Sequence, residues 1–98
     1  MNLYDFKETF NGNLPPAILQ DHLKALWFDA KGDWEKAHVL IQDVNDKNAA
    51  WIHAYLHRKE GDISNADYWY RRAGKTRPEI SLEKEWEQIA EALLSTNT

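Results

Sequence analysis

The sequence predicts an all-α domain, and three observations carry that prediction. Apolar residues recur at i, i+3, i+4 and i+7 in one segment after another. Four glycines stand singly between those segments, where helices stop. No stretch alternates apolar with polar residues as a half-buried strand does.

At 98 residues there is room for one domain. A chain of that length buries roughly 60–68% of the surface its unfolded form exposes, so the core is thin. The 43% hydrophobic and 29% charged residues separate it from disordered chains. Five tryptophans are a heavy load, and each indole N–H needs a partner, so some are expected to line a groove or a subunit contact. Cysteine is absent, which excludes disulfides and thiolate metal sites. The first residues lack a basic n-region and a long apolar run, and no apolar run approaches a membrane span, so a cytoplasmic, non-membrane protein is the expectation.

Residues 1–14 form an N-terminal arm or short helix through Leu3, Tyr4, Phe6 and Phe10, ended by Asn11-Gly12-Asn13. Pro15-Pro16 fits a helix start, and Leu19, Leu23, Leu26, Trp27 and Ala30 make one stripe, predicting a helix over 16–31. Asp33 caps the next helix, 33–44, with Ala37, Leu40, Ile41 and Val44 on its buried side. After the turn Asn45-Asp46-Lys47-Asn48, a third helix covers 49–60 and Gly61 closes it. Asp62 or Ser64 caps a fourth, 62–74, whose inward face carries Ile63, Ala66, Trp69, Tyr70 and Ala73. Gly74 and Pro78 mark its end. Ser81 caps a last helix, 81–95, with Leu82, Trp86, Ile89 and Leu93 inward and Glu83, Glu85, Glu87 and Glu91 outward.

Gly32-Asp33-Trp34-Glu35-Lys36-Ala37 and Gly61-Asp62-Ile63-Ser64-Asn65-Ala66 are one device used twice, 29 positions apart. Each copy has a helix-ending Gly, a capping Asp, an apolar staple and a small Ala. The device resembles the turn between the two helices of a tetratricopeptide repeat, and in the second copy Ala66, Tyr70, Ala73 and Pro78 fall where that family places small, aromatic, small and proline residues. The family's period is about 34 residues, which shortens the first copy's second helix by about a turn. The resemblance implies two stacked helical hairpins with the last helix as a cap, over roughly 17–78 plus the C-terminus. Trp51 to Asp62, with Asn65-Ala66 and Tyr68 to Ala73, also resembles a group of small bacterial proteins without assigned function. That second likeness implies no activity.

His53, His57 and Glu60 lie at i, i+4 and i+7, one stripe of the third helix. Two imidazoles a turn apart can chelate a divalent metal, a carboxylate beside them suits Zn²⁺ or Fe²⁺, and His38 on the neighbouring helix can add a ligand. By alignment with the repeat family, His53 and His57 occupy positions usually held by Leu and an aromatic. A pair of core histidines hydrogen-bonded to nearby acids or carbonyls accounts for the same pattern. Catalysis has no motif behind it, and no cofactor is called for beyond that possible metal.

Trp51, Tyr55, Arg58 and Lys59 share the face of the third helix that lines the concave groove in tetratricopeptide proteins. Aromatics beside Arg suit a peptide carboxylate or phosphate, while the same face is equally suited to pack on the last helix or on a second copy. From His53 to Arg77 the chain carries a charge of +3 and elsewhere −7. Tyr68-Trp69-Tyr70-Arg71-Arg72 mixes stacking and cationic groups, but Trp69 and Tyr70 have core positions and the net charge of −4 disfavours nucleic acid. Two functions follow as expectations. The first is a non-enzymatic interaction module that binds a protein or peptide partner, or a second copy, through the Trp51–Arg58 face. The second is a small-ligand or metal-binding protein, or an enzyme, using His38, His53, His57, Glu60 and Arg71 or Arg72 between the second, third and fourth helices.

Overall fold

The computed structural model describes residues 1–96 and is all-helical over them, with no strand among the described residues. Six α-helices follow in order: α1 (Leu3–Glu8), α2 (Asp21–Ala30), α3 (Trp34–Ile41), α4 (Lys47–Glu60), α5 (Ile63–Arg72) and α6 (Leu82–Thr96). The N-terminal arm is α1 continued by a 3-10 turn, Thr9–Asn11. Asn2 and Asp5 close a capping box at its start.

Three turns repeat one solution. Gly32, Gly61 and Gly74 take left-handed φ of 87°, 89° and 75°, and the next residue's N–H reaches back to the helix: Asp33 to Phe28 O at 2.8 Å, Asp62 to His57 O and Lys75 to Tyr70 O at 2.9 Å. Asp33 and Asp62 then cap the next helix, accepting from the N–H of Lys36 at 3.1 Å and Asn65 at 3.4 Å. One short device thus ends a helix, reverses the chain and starts its partner, so α2 packs on α3 and α4 on α5.

The main core gathers Phe6, Leu23, Leu26, Trp27, Ile41, Ile52, Leu56, Ile89 and Leu93 from five of the helices. Phe6 stacks on Trp86 of α6, with centroids 5.9 Å apart. A smaller cluster of Ala54, Ala66 and Tyr70 joins α4 to α5, where alanines permit close approach. Four indoles donate within the chain: Trp27 to Thr9 Oγ1, Trp34 to Leu56 O, Trp51 to Glu85 and Trp86 to Leu26 O. Most of the tryptophan load is therefore satisfied internally.

Four expectations are corrected. The helix expected from Pro16 begins at Asp21: Pro16 to Leu19 form a turn closed by Leu19 N–H to Pro16 O at 3.2 Å, and Gln20 stays extended at ψ 164°. The turn is what lets Leu19 reach the core ahead of the helix. Ala30 is exposed at the C-terminus of α2 instead of closing its stripe. Ile63, at the first position of α5, lies at the rim and is 38% exposed. Glu85, expected to face outward, is fully buried.

Candidate functional site

The sequence-derived ligands converge. His38 from α3 and His53 and His57 from α4 place their ring nitrogens so that one from each lies within 4.8 Å of the others. The Nε2 atoms of His38 and His53 are 3.0 Å apart, and the His53 and His57 rings stack at 4.8 Å, as the i,i+4 spacing requires. His53 and His57 are buried and His38 is half-buried, so the cluster has a single wet side.

Aromatic rings hold it in place. Trp34 stacks on His38 at 5.0 Å with planes 9° apart, and Trp69 of α5 stacks on His53 at 3.9 Å. On Trp69 lies the Arg72 guanidinium, 4.9 Å from the ring, with Nη1 donating to the Tyr68 hydroxyl at 3.0 Å. Arg72 therefore adds positive potential near His53 without touching it. Arg71 points to solvent and does not join the site.

Glu60 orients His57. Its Oε1 is 2.6 Å from His57 Nδ1, while Asn65 Nδ2 lies 3.4 Å from His57 Nε2. An amide N–H can only donate, so Nε2 accepts and the imidazole proton sits on Nδ1, donated to the carboxylate. The Nε2 lone pair is then the one that Asn65 shares and that a metal would take. Carboxylate–histidine pairs of this kind set ring orientation and basicity at metal centres. Burial, then the neighbouring imidazoles and Arg72, push the His53 pKa down to about 3. Burial and His57 lower His38 as well, against smaller opposing pulls from Glu60 and Glu35. Both rings are neutral at pH 7, with a lone pair to offer.

The donor set fits a metal ion. Four-coordinate Zn–N bonds of about 2.0–2.1 Å imply ligand nitrogens about 3.3 Å apart, and His38–His53 is already near that separation. Three imidazoles suit Zn²⁺, Co²⁺, Ni²⁺ or Cu²⁺ in preference to the hard oxygen-seeking ions. Glu60, expected as a direct ligand, engages His57 Nδ1 and forms with His57 and Asp62 a second, more exposed group of ligand atoms within 4.8 Å of one another.

The other predicted face is differently disposed. α6 covers it, and two carboxylates that the sequence reading did not single out organise it. Glu85 accepts from the Tyr70 hydroxyl at 2.6 Å, from Arg58 Nη1 at 2.8 Å and from Trp51 Nε1 at 3.1 Å. Arg58 also donates to Ile80 O. Asp29, itself buried, accepts from the Tyr55 hydroxyl at 2.7 Å and Lys59 Nζ at 2.9 Å. Trp51, Tyr55, Arg58 and Lys59 thus all have partners inside the chain or stacked on it, Lys75 lying 4.1 Å over the Trp51 ring. Burial and the adjacent carboxylate push the hydroxyls of Tyr55 and Tyr70 above the usual tyrosine range, keeping both as donors. Glu85 was findable: it stands three residues after Leu82 and four before Ile89, on the stripe itself.

No helix among the described residues is long and apolar enough to cross a membrane. No family model, curated protein or solved structure matches this chain. The site is accordingly read from its own chemistry.

Proposed function

We propose that this chain is a tetratricopeptide-like helical protein that binds a divalent transition metal through His38, His53 and His57. The observation that carries the reading is the convergence of three imidazoles from two helices, one of them oriented from behind by a carboxylate. Without a metal His38 and His53 bond each other and His57 bonds Glu60 and Asn65, whereas a metal uses all three lone pairs at once. The interaction-module reading stands second, because Tyr55 and Arg58 of its face are committed to Asp29 and Glu85 beneath α6.

A thermal-shift titration of tag-free protein with Zn²⁺, Co²⁺ and Ni²⁺ tests it, with chelator-treated protein as reference. Metal at 100 times its Kd adds about 2.7 kcal/mol, which for a domain of this size is on the order of 10–20 °C in Tm. His38→Ala and His53→Ala proteins should fold and lose that shift, while His22→Ala keeps it. An equal shift in all three variants would place any binding elsewhere.

A further inference from the structure

Three imidazoles complete only three corners of a tetrahedron, and Glu60 and Asp62 group with His57 alone, not with His38 and His53. What stands beside it instead is a donor. Asn65 sits on α5 with one amide hydrogen near Asp62 Oδ2, at 3.4 Å, and the other directed at His57 Nε2. A metal on His57 takes the lone pair that this second hydrogen uses. The N–H is then left half-buried and without an acceptor, next to the remaining coordination position.

We propose that the metal at this site takes its fourth ligand from solution as a small carboxylate, one oxygen on the metal and the other accepting from Asn65 Nδ2. Glu60 acts through His57 and Asp62 lies across Asn65, so neither fills the fourth position of an ion held by the three imidazoles. Number favours a carboxylate over a phosphate, since one metal position and one amide N–H match two oxygens. A phosphate needs further donors, and the nearest guanidinium, Arg72, is committed to Tyr68 and the face of Trp69. The inference rests on the metal reading above and names what that metal holds.

Co²⁺ is the probe, because it suits imidazole ligands and its visible absorption reports its coordination shell. The Co²⁺-loaded protein is titrated with sodium acetate and, in parallel, with inorganic phosphate at matched ionic strength. Acetate should change the spectrum saturably. In Asn65→Leu the acetate Kd should rise about tenfold, as loss of one charge-assisted hydrogen bond implies, with the Co²⁺ Kd within about threefold of wild type. Asn65→Asp should bind Co²⁺ more tightly and ignore acetate, its own carboxylate filling the position. A spectrum that acetate leaves unchanged, a response to phosphate alone, or an acetate Kd indifferent to Asn65→Leu overturns the carboxylate inference while the metal site stands. Absence of any Co²⁺ spectrum overturns the metal reading itself.

Discussion

Glu85 shows what one side chain decides here. Its carboxylate, wholly buried, gathers Tyr70, Arg58 and Trp51 from α4 and α5 and ties both to α6. Removing it strands the Arg58 charge and two neutral donors, so Glu85→Ala should cost about 3–5 kcal/mol, read from urea unfolding. A loss below about 1 kcal/mol would mean that water replaces the carboxylate. His53 sets the acid limb of stability. Its pKa, 6.5 unfolded, is depressed to about 3 by burial and by the adjoining His38, His57 and Arg72. Between those values the unfolded chain binds the extra proton, so stability falls as pH drops below 6.5 and stops responding to this group near 3. The slope from His53 alone is at most about 1.4 kcal/mol per pH unit. Metal-free wild type and His53→Leu, unfolded in urea from pH 7 to pH 4.5, should differ by a steeper wild-type decline; parallel curves would contradict it. The histidines were legible in the sequence because i,i+4 spacing fixes a shared face whatever surrounds it. Glu60 was visible too, but its role behind His57 was not, since a side chain's partner depends on rotamer as well as register. Asn65 and Trp34 read only as parts of a capped turn, because their function depends on which helix lies across from them.

At the scale of elements, the Gly-Asp turn does the organising, and it is the feature the sequence displays most openly. Its glycines are needed for backbone conformation: an added Cβ at Gly61 meets nothing within 4 Å, yet φ is +89°. Gly61→Ala should therefore cost about 1–2 kcal/mol, the left-handed penalty alone, and Gly61→Asn less, as Asn tolerates that region. Equal stability in Gly61→Ala would mean that the turn relaxes to another geometry. Helix starts without such a device were harder to read. Pro15-Pro16 has the chemistry of a first turn, but a proline also biases its predecessor toward extended backbone. Here Pro16 to Leu19 close a turn instead, which seats Leu19 in the core before α2 begins at Asp21. Ile63 fits its helical stripe by spacing and still lies at the rim, because periodicity gives a direction and not the end of the neighbouring helix.

For the whole molecule, the arrangement of helices separates two faces of α4 that the sequence offers as alternatives. α6 lies across the Trp51–Arg58 side, closing it with Glu85 and with Trp86, Ile89 and Leu93 in the core. The opposite side meets α3 and α5, and there the imidazoles gather between two indoles. Fold class and the two helix-turn-helix units could be read from periodicity and caps. Which face the last helix would cover could not, because an apolar stripe gives a direction and not a partner; in the fold α6 meets the face where Glu85 accepts from Arg58, Trp51 and Tyr70. The claim at the centre is that three of the chain's four histidines act together while His22, held 3.0 Å from Asp46, stands apart as an internal control. The most direct measurement follows the imidazole ¹⁵N resonances of tag-free protein during a Zn²⁺ titration. His38, His53 and His57 should shift together to a saturated end point at one equivalent, with His22 unmoved. Shifts confined to His22, or none at a tenfold excess of Zn²⁺, would contradict it.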